Sequence, residues 1–196
     1  RDLVARLADP FGVPREYFIS GMEPGVKARI EEALKTLDSL GAEIDTSLSL
    51  PSTEHALAVY YIIAPSEASA NLARYDGVKY GFSDRSGPTM WDNMEQTRAQ
   101  GFGNEVKRRI MLGTYALSAG YYDAFYLKAQ KVRTVINNEF AAAFAKYDVI
   151  VTPTSPTVAF PIGAKVDDPY AMYLNDVYTL PASVAGLPSI SVPCGL

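Results

Sequence analysis

Hydrophobic residues recur at helical spacing along most of the chain, and this pattern predicts a succession of amphipathic helices. The first is predicted over residues 26–40, where five apolar positions follow one another at intervals of three and four between Pro24 and Gly41. A second helix is predicted to begin at Pro51, and others over residues 91–99, 103–118 and 122–146. A last helix is predicted to start at Asp168 and to be interrupted by Pro181.

Short runs of apolar and β-branched residues lie between these helices and predict strands. One such run begins at Ala42, and two more cover residues 148–152 and 189–193. Helices that separate buried strands indicate an α/β fold, with a sheet covered by helices on both faces. Because a sheet of three or four strands leaves open edges, we expect further strands to lie outside this sequence.

Along the chain, the pattern divides into three stretches. Residues 1–20 form a lead-in that prolines interrupt, residues 24–147 are mainly helical, and residues 148–196 follow a strand–helix–strand order. Within the helical stretch, residues 77–90 contain three glycines and one proline among polar residues. This composition predicts a loop, of a length that is typical of functional segments or lids.

Composition and charge exclude several classes of protein. The 18 Lys and Arg residues against 22 Asp and Glu give a net charge of −4, so no general basic field attracts nucleic acid. The single cysteine, Cys194, cannot form an internal disulfide, which favours a reducing compartment. The longest apolar run, residues 56–64, is too short to cross a bilayer.

The residue types also exclude the most common catalytic arrangements. His55 is the single histidine and has no companion motif, so we interpret it as a polar residue in the first turn of a helix. No serine lies in a Gly-x-Ser-x-Gly turn, and residues 152–156 read as a rigid, proline-rich structural turn. The sequence therefore predicts neither a nucleophile nor a metal site in this chain.

Three polar residues instead occupy predicted apolar helix faces: Tyr60, Arg109 and Asp176. A buried guanidinium or carboxylate needs an opposite charge or a ligand, although an arginine at the edge of an apolar face can also reach solvent. If the three side chains converge, they suit a zwitterionic amino acid, with Arg109 on its carboxylate and Asp176 on its ammonium. Spacing alone does not show that they converge.

Four long strings of residues lie in the order and at the spacing of a known family, at positions 60–69, 71–77, 101–114 and 128–133. From about Gly12 to its end, the chain resembles the A subunit of the glutamyl-tRNA(Gln)/aspartyl-tRNA(Asn) amidotransferases, within the amidase-signature superfamily. The resemblance is to the C-terminal part of that subunit. It implies part of the amidase-signature fold, a mixed β-sheet covered by helices on both faces, with strands missing from this chain.

The resemblance also implies a function. The family's A subunit releases ammonia from the side-chain amide of glutamine by means of a Lys, a cis-Ser and a nucleophilic Ser, whose segments have no counterpart in this chain. We therefore expect the chain alone to be inactive. The matching substrate residues imply glutamine contacts at Tyr60, Arg109 and Asp176, with Tyr61 as the alternative to Tyr60.

Partners and cofactors follow from the same resemblance. The ammonia is expected to pass to a B subunit that uses ATP and Mg to amidate Glu-tRNA(Gln), or Asp-tRNA(Asn), while a small C subunit braces the pair. No cofactor and no membrane contact are expected for this chain, and its expected location is the cytoplasm or an organellar matrix. Two alternatives stay open: part of a free-standing amidase that acts on another small amide, and a non-catalytic interaction domain.

Overall fold

The computed structural model describes residues 10–164 and 172–195, which form two compact units. The first unit combines the N-terminal residues as far as Leu57 with the C-terminal residues from Val132, and the second unit comprises Ala58–Lys131. The lead-in and the strand–helix–strand stretch both contribute residues to the first unit.

The first unit is built on a small parallel sheet. Its strands are β1 (Phe11–Gly12), β2 (Ile44–Asp45) and β3 (Val149–Ile150). The order is β2-β1-β3, and Phe11 of the central strand pairs with Ile44 on one side and with Val149 on the other. Helices together with a parallel sheet confirm the predicted α/β class.

Two features of the sheet differ from the prediction. The central strand lies within the stretch that we read as a lead-in, because two residues are too few to produce an alternating pattern, although both are buried. The predicted strand at residues 189–193 is wrong, since this segment is irregular and Ile190 is 88% exposed. Pro188, which precedes the segment, and Pro193, its last residue, lack the N–H groups that a strand donates to its neighbours.

The helices agree in part with their predicted positions, most closely for those predicted over residues 26–40, 91–99 and 103–118, where both ends lie within two residues of the prediction. They are α1 (Pro24–Ser39), α2 (Ala56–Leu72), α3 (Met90–Gly101), α4 (Asn104–Leu117), α5 (Lys128–Phe144) and α6 (Leu180–Ala185). Shorter helical turns cover Arg15–Tyr17, Pro51–His55, Asp123–Leu127 and Leu174–Asp176. No helix in the described part of the chain is long and apolar enough to cross a membrane.

The observed starts of three helices differ from the predicted starts. The helix predicted from Pro51 begins as a 3-10 turn before α2, and the helix predicted over residues 122–146 begins as a π-helical turn before α5. Pro181 lies in the first turn of α6 and does not interrupt a helix, because a missing N–H costs nothing at that position. The predicted start at Asp168 lies outside the described residues.

The core of the first unit joins residues that are distant in sequence. Tyr17, Met22 and Ile30 from the N-terminal half pack with Tyr178 from the C-terminal part. The rings of Tyr17 and Tyr178 stack with 5.9 Å between their centres, and burial raises the pKa of the Tyr17 hydroxyl well above its ordinary value. Because of this cluster, the N-terminal and C-terminal parts of the described chain belong to the same unit.

Within the second unit, α2 and α4 approach each other at a glycine. A Cβ atom at Gly113 would overlap the carbonyl group of Pro65 and would lie 2.8 Å from the backbone nitrogen of Ser66. Only a residue without a side chain therefore fits at this contact. The contact sets the distance between the helix that carries Tyr60 and the helix that carries Arg109.

The loop predicted over residues 77–90 is confirmed, since residues 73–89 contain no helix or strand. Hydrogen bonds to α3 hold it in place. The Arg98 guanidinium donates to the carbonyl oxygens of Leu72 at 2.9 Å and Tyr75 at 3.0 Å, and the backbone N–H of Asp84 donates to Oγ1 of Thr97 at 2.9 Å. The bonds at Tyr75 and Asp84 tie the loop to α3, and the bond at Leu72 ties the end of α2 to the same helix.

Candidate functional site

Arg109 lies in the second turn of α4, where its side chain is 39% exposed. Its Nε donates a hydrogen bond to Oε1 of Glu105 at 3.1 Å, one helical turn earlier. The other carboxylate oxygen of Glu105 accepts a hydrogen bond from Nη1 of Arg108 at 2.8 Å. The acidic partner that a half-buried guanidinium needs is thus supplied by the same helix.

The surroundings of Arg109 favour its charged form. Partial burial lowers the pKa of the guanidinium, but the hydrogen bond to Glu105 and the electrostatic influence of Tyr60 and Tyr61 outweigh it, so the pKa is raised. Among the residues that the structure describes, none forms a hydrogen bond with the terminal nitrogens Nη1 and Nη2 of Arg109. A permanent cation with two available donors is suited to bind a carboxylate.

Tyr60 and Tyr61 lie on α2 and meet edge to face, with 5.1 Å between ring centres. Both are half-buried, because the buried side of the helix passes through Ala56 and Val59 and continues at Pro65. Tyr60 therefore borders the buried face that we predicted for it. The structure places both tyrosines within electrostatic range of Arg109 and does not favour one of them over the other.

Asp176 belongs to the other unit, at the end of the 3-10 turn Leu174–Asp176. The prediction that it occupies an apolar helix face is wrong, because a short 3-10 turn precedes α6 and changes the helical period. Tyr178 and Leu180 take the buried positions, and Asp176 is exposed. Its carbonyl oxygen accepts hydrogen bonds from the N–H and the hydroxyl of Thr179, both at 3.1 Å. Its carboxylate role stays a prediction.

The other residues considered in the sequence, His55 and the turn at residues 152–156, lie among contacts typical of structural residues. The side chain of His55 is 60% exposed and lies 3.5 Å from the carboxylate of Glu54. In the turn at residues 152–156, both prolines are buried, and Thr154 Oγ1 lies 3.4 Å from Ser191 Oγ. Within residues 10–164 and 172–195, no group of three or more His, Cys, Asp or Glu side chains is placed to hold a metal ion.

Two residues that shape the site were not predicted from the sequence. Glu105 precedes Arg109 by four positions, the spacing at which an acid and a base meet on a helix surface, so its pairing was detectable. Gly113 follows Arg109 by four positions, but its close approach to α2 depends on a tertiary contact. Glu105 contacts the Arg109 guanidinium directly, whereas Gly113 lies where α4 approaches α2.

Comparisons with known proteins agree with this architecture. A sequence model of the family described as Amidase matches residues 10–196. The chain is 61% identical over 184 residues to the A subunit of the glutamyl-tRNA(Gln) amidotransferase of Dehalococcoides mccartyi (strain CBDB1), covering 94% of this chain and 38% of that protein. Identity to the corresponding A subunit of Chloroflexus aggregans (strain MD-66 / DSM 9485) is 62%, covering 94% of this chain and 37% of that protein.

A solved structure shows the same similarity in three dimensions. The crystal structure of the glutamyl-tRNA(Gln) amidotransferase A subunit from Thermotoga maritima superposes with a TM-score of 0.64 at 41% sequence identity. The match covers 92% of this chain and 34% of that chain. The present chain thus spans little more than a third of the length of the proteins that it matches.

Proposed function

The chain belongs to the amidase family, and on that premise we propose that it is the glutamine-binding part of the A subunit of a tRNA-dependent amidotransferase. The observation that carries this proposal is the identity of about 60% to two named A subunits over 94% of the chain. The charged and aromatic residues around Arg109 also support this proposal, because they suit the binding of an amino acid.

The chemistry of the site suits the backbone groups of a free amino acid. The Arg109 guanidinium binds the α-carboxylate through its terminal nitrogens, and the neighbouring tyrosine, Tyr60 or Tyr61, donates a hydroxyl hydrogen bond to the substrate. Asp176 binds the α-ammonium group. These contacts orient the side-chain amide of glutamine toward a nucleophilic serine elsewhere in the full-length protein, which forms a glutamyl-enzyme and releases ammonia.

In the complete enzyme, the ammonia passes to a B subunit. There ATP and Mg²⁺ activate the glutamyl group of Glu-tRNA(Gln), or the aspartyl group of Asp-tRNA(Asn), and a C subunit braces the two larger subunits. The net charge of −4 supports this division of labour, because a chain without a general basic surface has no field of its own to hold tRNA. We place this enzyme in the cytoplasm or an organellar matrix.

Reconstitution of the full-length A subunit with its B and C partners tests the proposal. We expect glutamine, ATP and Mg²⁺ to support conversion of Glu-tRNA(Gln) to Gln-tRNA(Gln). Ammonium chloride is the control, since it supplies ammonia without the A subunit. Conversion with ammonium chloride but not with glutamine would contradict the proposal and would favour a non-catalytic interaction domain.

The 196-residue chain alone is expected to release no ammonia from glutamine. Its binding residues supply orientation, but none of its serines lies in a nucleophile turn, so no covalent step is available. A coupled ammonia assay on the purified chain checks this expectation, with the full-length protein as positive control. Ammonia release above the buffer rate by the short chain would refute it.

A further inference from the structure

We propose that Glu105 is a positioning residue for substrate recognition, which holds the Arg109 guanidinium by its Nε so that the two terminal nitrogens remain for a carboxylate. This inference rests on the proposed function, because it concerns how Arg109 meets the α-carboxylate of glutamine. It adds a residue that makes no contact with the substrate. Glu105 acts only through the geometry of its neighbour.

A guanidinium offers a carboxylate two hydrogen-bonding edges. Arginine can bind a carboxylate with two parallel hydrogen bonds either through Nε and one terminal nitrogen or through both terminal nitrogens. The 3.1 Å bond from Arg109 Nε to Glu105 Oε1 occupies the first of these edges. A substrate carboxylate that binds in bidentate fashion must therefore use the edge formed by Nη1 and Nη2.

Glu105 is itself held in place by a second arginine. Its other carboxylate oxygen accepts a hydrogen bond from Nη1 of Arg108 at 2.8 Å, so each oxygen is bound to a different arginine. Glu105 also lies in the first turn of α4, where the helix dipole favours a negative charge. The three side chains together carry one net positive charge, which leaves the cluster attractive to an anion.

The solvent exposure of these side chains indicates that Glu105 contributes little to the stability of the fold. The side chains of Glu105, Arg108 and Arg109 are 46%, 51% and 39% exposed. Ion pairs that are exposed to this extent contribute little to stability, because water and salt screen them. Removal of the Glu105 carboxylate is therefore expected to leave the fold intact and to release only the orientation of Arg109.

Glutamine kinetics of the assembled full-length enzyme test the proposal. We expect Glu105→Ala to raise the KM for glutamine about 3- to 10-fold, the size of one lost hydrogen bond, with kcat changed less than about 2-fold. Glu105→Gln retains an oxygen that accepts from Nε and is expected to recover most of the loss. Glu32→Ala is the matched control: it removes an exposed carboxylate that pairs with Arg29 on a different helix, α1, and it is expected to leave the KM unchanged.

Two results would overturn the positioning role. One is an unchanged glutamine KM in Glu105→Ala; the other is a fall in kcat without a rise in KM, which indicates damage to the helix. Arg109→Lys, measured in parallel, separates this failure from a failure of the proposed function. If Arg109→Lys raises the KM for glutamine while Glu105→Ala does not, only the positioning role of Glu105 is refuted. If neither variant raises the KM, the proposed glutamine site at Arg109 is refuted as well.

Discussion

Replacement of Arg109 by lysine in the full-length protein is expected to raise the KM for glutamine about 10-fold or more, with a smaller effect on kcat. Lysine keeps the positive charge, but its single ammonium group cannot bind Glu105 and present two parallel donors to a carboxylate at the same time. A 10-fold change corresponds to about 1.4 kcal/mol, close to the lower end of the roughly 1.5–3 kcal/mol of a hydrogen bond to a charged group.

Asp176→Asn is expected to raise the same KM by a similar factor, because the amide has nearly the shape of the carboxylate but no charge for the α-ammonium group. Steady-state glutaminase kinetics measure both variants. Arg108→Lys is the control for Arg109→Lys, since Arg108 is the adjacent arginine, pairs with the same Glu105 and has no proposed substrate contact. Unchanged glutamine kinetics in Arg109→Lys or in Asp176→Asn would refute the role assigned to that residue.

The second large effect is expected at Gly113, where alanine should destabilise the full-length protein by about 1–3 kcal/mol or more. The added Cβ would overlap the backbone carbonyl of Pro65, which belongs to α2 and cannot rotate away as a side chain can. To relieve the overlap, α4 must move away from α2. Because these helices carry Arg109 and Tyr60, we also expect the glutamine KM of the folded variant to rise.

Urea unfolding of the full-length protein measures the effect of Gly113→Ala as a lower midpoint. Gly25→Ala is the matched control, because Gly25 is also in a helix but an added Cβ there would have no atom within 4 Å apart from its chain neighbours and the backbone of its own helix. Alanine at that position is expected to leave the midpoint unchanged or to raise it slightly. Equal midpoints for the wild type and Gly113→Ala would contradict the close packing of α2 against α4.

The long helices could be predicted from the sequence because their apolar residues repeat over several turns. Helix α1, predicted at residues 26–40, is observed at Pro24–Ser39, and the helix predicted at residues 103–118 is observed at Asn104–Leu117. The same periodicity singled out Arg109, because a charged residue beside an apolar stripe is visible in one helix alone. Residue types and local spacing suffice for such features.

Features that depend on distant parts of the chain could not be predicted. Strand β1 has two residues, and it is recognisable only through its pairing with β2 and β3, which are far from it in sequence. The environment of Asp176 depends on a 3-10 turn that replaces regular helix before α6, so its helical neighbours in the sequence are not its neighbours in space. Likewise, the need for glycine at position 113 arises from a contact with another helix.

Substrate selectivity of the full-length protein tests the central proposal most directly, since it asks whether the enzyme recognises an amino acid or only an amide. The measurement compares ammonia release from glutamine with release from butyramide, which has the side-chain amide but neither the α-carboxylate nor the α-ammonium group. With two charge-assisted contacts of about 1.5 kcal/mol or more each, kcat/KM for glutamine is expected to exceed that for butyramide by at least about 100-fold. Equal values for the two amides would contradict a glutamine site and would identify the parent protein as a general amidase.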